Sequence, residues 1–159
     1  MKLNEKTEQQ KKRKRIVVKE EVCIGCKLCE VWCTVEHSPV KDILKAYKRQ
    51  KHERPLPKLK VQVQKPLTFA VQCRHCDEPD CQYSCITGAL YIDEKDGTIR
   101  HDPDKCIGCW TCILACTRGA IQRDERTKRI ASKCDFCPGR ETPVCVEKCP
   151  NEAMVIVEE

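Results

Sequence analysis

The sequence predicts an α+β fold in which short β-hairpins and short helices surround cysteine-lined centres, and three observations predict it. Sixteen of the 159 residues are Cys, and they fall into four groups of four. Leu, Ile, Val and Phe together number only 34, about 21% of the chain, near the level below which an ordinary core is hard to build. The short gaps between groups read as strand, turn and returning strand. There is no glycine repeat, no sustained heptad and no apolar run near 18 residues, which excludes a collagen, a coiled coil and a membrane span.

Residues 1–14 form a charged, basic tail with no apolar segment ahead of a small-residue cleavage site, so no Sec-type leader is expected. The run Lys11 to Arg15 has no adjacent arginine pair, which argues equally against twin-arginine export. A cytoplasmic location follows as the expectation, and in a reducing compartment sixteen cysteines suit metal ligation better than eight disulfides. A strand, Arg15 to Lys19, precedes the first group and could pair with the last segment, Asn151 to Val157.

The first group is Cys23, Cys26, Cys29 and Cys33, and the third, Cys106, Cys109, Cys112 and Cys116, repeats its C-x2-C-x2-C-x3-C spacing. The second is Cys73, Cys76, Cys81 and Cys85; the fourth is Cys134, Cys137, Cys145 and Cys149. Between the first two groups lies a basic insertion, with a helix expected over Asp42 to Glu53, ended by Pro55 and Pro57. Lys58 to Gln64 then alternates, with Leu59, Val61 and Val63 on one face of an exposed strand. After Cys85, residues 86–93 run out, 94–97 turn and Thr98 to Arg100 return; Thr117 to Ile121 and Arg129 to Ala131 repeat this after Cys116.

The repeated spacing is the bacterial pattern for [4Fe-4S] cubes. Two-residue gaps let a turning backbone bring three thiolates to one side, while the fourth cysteine, at a helix start, faces a second cube. Zinc is the alternative for four thiolates, but its knuckles are usually two separated C-x2-C pairs, not three cysteines in close succession. Apolar neighbours such as Ile24, Ile107, Ile113 and Leu114 are expected to wrap the centres and keep water away. No nucleophile with a base is apparent.

The formal charge of +6 refers to neutral thiols. Four oxidised cubes with thiolate ligands, at about −2 each, would bring the chain to about −2. The basicity is therefore no sign of nucleic-acid binding, and aromatics are only 4% of the chain. Residues 1–69 hold 18 basic and 8 acidic groups, against 12 and 16 in residues 70–159, a polarity suited to steering toward a protein partner.

From about Val17 to Val157 the chain resembles the four-cluster electron-transfer subunits of molybdenum and tungsten oxidoreductases, of the dimethyl sulfoxide reductase and formate dehydrogenase type. It is also similar to the soluble relatives serving hydrogenase, carbon monoxide dehydrogenase and aldehyde oxidoreductase. The residues that carry this are Gln72-Cys73-Arg74-His75-Cys76 with Pro79 and Cys81, Cys106-Ile107-Gly108-Cys109, and Lys133-Cys134-Asp135-Phe136-Cys137 with Pro143, Cys145 and Cys149-Pro150. The resemblance implies two ferredoxin-like two-cluster units, the second inserted within the first. The outer unit would take 15–69 and 117–159, with its insertion at 34–69, and the inner unit 70–116. It implies four ligand sets: Cys23, Cys26, Cys29 and Cys149; Cys33, Cys134, Cys137 and Cys145; Cys73, Cys76, Cys81 and Cys116; and Cys85, Cys106, Cys109 and Cys112.

It further implies a chain that is not itself an enzyme, relaying single electrons through four [4Fe-4S] clusters. Its partners would be a larger catalytic oxidoreductase subunit of the molybdenum- or tungsten-dependent kind and a ferredoxin or other redox subunit, with no nucleic acid and no direct membrane insertion. A free cytoplasmic polyferredoxin is the alternative. Two departures stand out. Only Cys149 is followed by Pro, where Thr34, Ile86 and Thr117 take the other places, and the spacer Pro138 to Val144 is short.

Overall fold

In the computed structural model the described residues are 14–48, 54–124 and 129–158. The basic tail through residue 13, the second half of the helix expected over 42–53, and His52 lie outside them. Strand β1 (Lys14–Val18) pairs antiparallel with β8 (Met154–Glu158), in a register that sets Ile16 opposite Ile156 and Val18 opposite Met154. The two ends of the described chain are thus joined by backbone hydrogen bonds. Ile16 and Met154, 1% and 3% exposed, turn inward from this pair.

Helix α1 (Leu28–Glu36) carries Cys29 and Cys33, and α2 (Ile43–Lys48) is the described part of the expected insertion helix. Strand β2 (Leu59–Gln64) is less exposed than its alternation suggests. It folds back on β3 (Leu67–Gln72), and Leu59 and Val61 are buried while Val63 is open to solvent. The side chain of Glu30 in α1 accepts a hydrogen bond from the Val61 amide and so clamps the hairpin to the helix. A core of Ile16, Cys33, Leu59, Val61, Ala70, Cys145 and Met154 results, to which the hairpin of the insertion contributes three residues.

Helix α3 (Asp80–Tyr83) is followed by the hairpin β4 (Leu90–Ile92) and β5 (Ile99–His101). Its turn is built by acids: Asp96 Oδ1 accepts from the Thr98 amide at 2.9 Å, Gly97 takes a φ of 69°, and Arg100 pairs with Asp93 and Asp96 at 2.8 Å each. Helix α4 (Thr111–Ala115) leads to β6 (Gln122–Asp124), which pairs with β7 (Arg129–Ser132). Here the outgoing strand starts only at Gln122, after a turn at Thr117 and Arg118 and a left-handed Gly119 with a φ of 60°. A second core gathers Cys81, Leu90, Ile99, Cys112 and Ile121.

Helix α5 (Val144–Glu147) packs on α1, and α3 packs on α4. Among the described residues the five α-helices have nine residues or fewer, too short to persist alone, so what they are packed around holds them. Cysteines belong to both cores, as the thin supply of aliphatic residues requires. No helix among the described residues is long and apolar enough to cross a membrane.

Candidate metal centres

The four cysteine loops share one backbone device. Two residues after the first cysteine of each group stands a residue with positive φ: Gly25 at 67°, His75 at 48°, Gly108 at 72° and Phe136 at 62°. Lys27 and Trp110 add a second such turn at the start of α1 and α4. Left-handed steps curl the chain so that successive Sγ atoms face one side, and they aim backbone N–H groups inward.

Cys23, Cys26, Cys29 and Cys149 line one cavity enclosing about 380 Å³ of non-protein space, partly open to solvent. Cys85, Cys106, Cys109 and Cys112 line a second of about 310 Å³. In both, three cysteines of one group meet the last cysteine of another. The remaining cysteines show their neighbours through charge. Burial pushes the Cys145 thiol up, and ionised Cys134, Cys33 and Cys137 push it further. Burial raises Cys81 to about 11, Lys133 opposes this, and Cys73 and Cys116 add to it.

Three charge couplings cross between these sets. Cys145 feels the charge of Cys29, Cys134 that of Cys73, and Cys81 that of Cys112. Burial also lifts Cys29 to about 12, and Cys112 and Cys137 to about 11. Crowded, buried thiols with raised pKa values are poor free thiolates, and a cationic centre bonded to all of them reverses that preference. An all-sulfur donor set of this kind fits an iron–sulfur cluster.

Hydrogen bonds support the same reading. The Sγ atoms of Cys33, Cys73, Cys116 and Cys149 accept amide N–H groups from Lys58 (3.2 Å), His75 (3.5 Å), Ala120 (3.4 Å) and Ala153 (3.2 Å). Cys149, which is followed by Pro150, takes its donor four residues on, as Cys116 does without a proline. At Cys85 burial acts to raise the thiol, but the amides of Leu90, Thr87 and Ala89, with the Thr87 hydroxyl, hold it below its usual value.

Of the apolar neighbours, Ile24 lines the first cavity and Ile107 the second, although they are 64% and 66% exposed; Leu114, on α4, is 89% exposed and lines neither, and Ile113 packs against the second core. Trp110 also packs there, under the Arg123 guanidinium at 3.7 Å. His75 is 1% exposed and accepts the Ile99 amide on Nδ1 at 2.9 Å, a structural role.

Sequence reasoning missed a charged network beside the fourth loop. His37 donates from Nε2 to Asp135 at 3.1 Å and from Nδ1 to the Cys33 carbonyl at 2.8 Å, while Lys58 pairs with the same Asp135. Burial works against protonation of His37, yet its bonds to Asp135 and Cys33 raise its pKa to about 10. Asp135, with burial working to raise it, is held well below the usual carboxylate range by His37 and Lys58. Its position between Cys134 and Cys137 was the available signal; nothing in the sequence points to His37.

Residues 64–159 match the family described as the 4Fe-4S dicluster domain. The chain belongs to that family. Among relatives of this 4Fe-4S dicluster protein, the electron transport protein HydN of Escherichia coli (strain K12) is 32% identical over 158 residues, 90% of this chain and 87% of HydN. The thiosulfate reductase electron transfer subunit PhsB of Salmonella typhi is 33% identical, over 85% of this chain and 70% of PhsB. AegA of Escherichia coli (strain K12), named as an oxidoreductase, is 37% identical over 89% of this chain, which spans only 21% of AegA. A solved active-site complex BamBC of benzoyl coenzyme A reductase is similar over 94% of this chain and 83% of its own, at 23% identity and a TM-score of 0.48. The chain is a ferredoxin-like iron–sulfur electron-transfer protein of mixed helix and strand content.

Proposed function

We propose that this chain is a non-catalytic relay subunit of an oxidoreductase complex, holding four [4Fe-4S] clusters in a row. The ligand sets would be Cys23, Cys26, Cys29 and Cys149; Cys33, Cys134, Cys137 and Cys145; Cys73, Cys76, Cys81 and Cys116; and Cys85, Cys106, Cys109 and Cys112. The observation that carries the proposal is the exchange of last cysteines. Cys149 closes the cavity of the first group and Cys85 that of the third. The packing of Cys29 against the core that holds Cys145 and of Cys81 with Cys112, and the charge coupling of Cys134 to Cys73, support the order of the row.

The β1–β8 pair and the separate cores support a nested division into an outer and an inner ferredoxin-like unit, expected at residues 70 and 116. The β2–β3 hairpin, Ala70 included, packs with the outer unit, and Ile121 packs with the inner one. When bound, each cluster would supply one-electron redox chemistry. The chain's part is to hold the sulfurs, to shield them in shallow apolar cradles and to direct N–H groups at the thiolates, which raises potential. With every cysteine engaged, no open ligand position remains for a substrate. The partner would be a catalytic subunit, of the molybdenum- or tungsten-dependent kind, with a second redox protein at the other end and a cytoplasmic setting.

Iron and acid-labile sulfide analysis of the anaerobic full chain tests the count: sixteen irons are expected, and zinc or half that iron would refute it. Co-purification with a larger metalloenzyme is expected. A free monomer that reduces separate enzymes at salt-dependent, diffusion-limited rates would favour a diffusible carrier.

A further inference from the structure

Lys133 is 5% exposed, one residue ahead of Cys134. Its Nζ donates to the Ile99 carbonyl in β5 and to the Cys134 carbonyl at 3.1 Å, so one side chain joins the inner hairpin to the fourth cysteine loop. Among the described residues no carboxylate forms an ion pair with it. Two carbonyl dipoles are weak compensation for a buried cation, and such groups ordinarily meet a full negative charge. The groups positioned to supply one are thiolates. Lys133 lowers the pKa of Cys81, after burial has raised it, and it also opposes the rise at Cys134. These two cysteines belong to different proposed ligand sets, and the geometry joins them: the ammonium is bonded to the carbonyl of Cys134 and to that of Ile99, which packs in one core with Cys81.

We propose that Lys133 is a fixed positive charge that raises the reduction potentials of the two middle clusters together. It acts through the sets Cys33, Cys134, Cys137, Cys145 and Cys73, Cys76, Cys81, Cys116, and so rests on the four-cluster reading above. Reduction adds one electron to a centre that is already anionic, and a nearby cation stabilises the more negative state.

Anaerobic redox titration of the full, cluster-loaded chain, followed by electron paramagnetic resonance, tests this with Lys133→Met, Lys133→Gln and Lys133→Arg. In both neutral variants two of the four potentials are expected to fall, each by at least tenfold in the reduction equilibrium, which is about 59 mV for one electron. The other two stay unchanged, and Lys133→Arg retains wild-type values. Unchanged potentials, a shift in one centre only or an equal shift in all four would overturn the proposal. Loss of iron from both neutral variants, with iron kept in Lys133→Arg, would assign the lysine to assembly and overturn it too. A wild-type chain with fewer than four one-electron centres would instead overturn the four-cluster reading on which it stands.

Discussion

Replacing Gly25 by Ala tests how the insertion hairpin supports the first cysteine loop. Gly25 has a φ of 67°, and a Cβ there would stand 2.7 Å from Thr68 Cγ2 and 3.0 Å from Val63 Cγ2, both on the β2–β3 hairpin. The left-handed backbone costs a non-glycine residue about 1–2 kcal/mol. Overpacking against two β-branched side chains adds about 1–3 kcal/mol. Gly119 supplies the control: its φ is 60°, yet nothing lies within 4 Å of an added Cβ, so Gly119→Ala should show the backbone part alone. Denaturant midpoints of the cluster-loaded chain, with bound iron as a second readout, should rank Gly25→Ala well below Gly119→Ala. Adding Thr68→Ala to Gly25→Ala removes the closer contact and should recover part of the difference, giving a coupling near 1 kcal/mol. Equal losses for the two glycine variants, or no recovery in the double variant, would refute the claim that the hairpin is pressed against the loop.

Cys149→Ser should lower bound iron by about a quarter and leave the cavity of Cys85, Cys106, Cys109 and Cys112 loaded; full retention of iron and of all cluster signals would contradict the exchanged ligation. His75→Leu leaves the buried Ile99 amide without its acceptor and should cost about 1–3 kcal/mol in denaturant unfolding. The His37–Asp135 pair sets a pH dependence. Because the folded pKa of His37 is raised from 6.5 to about 10, its contribution is complete below pH 6.5 and is lost as pH rises through 10. Stability of the loaded chain should decline across that window, and His37→Phe should flatten the decline.

The cysteine grouping, the hairpin between Leu90 and His101 and the pairing of the two strand ends were legible because each leaves a local mark: fixed spacing, turn residues, an unmatched strand. The exposure of β2 was misjudged because Leu59, Val61 and Val63 alternate identically whether their face is open or covered, and alternation names no partner. Only the fold shows that Leu59 and Val61 meet Ile16 and Met154. Leu114 was misjudged for the reverse reason: an apolar residue near a ligand suggests burial, but on α4 the residue two places after the buried Cys112 faces the other side of the helix. His37, Lys58 and Lys133 lay beyond reach, since their partners are set by tertiary approach across 98, 77 and 34 residues.

The shared left-handed position explains where the two halves meet. In the first and third groups it is filled by Gly25 and Gly108, at no steric cost. In the second and fourth it is filled by His75 and Phe136, which pay a conformational penalty of about 1–2 kcal/mol each. Something must offset that, and these two rings meet edge to face at 5.9 Å and 73°. His75 also secures Ile99, whose carbonyl takes the Lys133 ammonium. At this one position strain is accepted in the two loops whose side chains form the junction and avoided in the first and third loops, which carry theirs at Lys27 and Trp110 instead. A glycine at either junction position would relieve its own backbone and remove the packing that holds the second and fourth groups in contact, so for that register the bulky residues are the better choice.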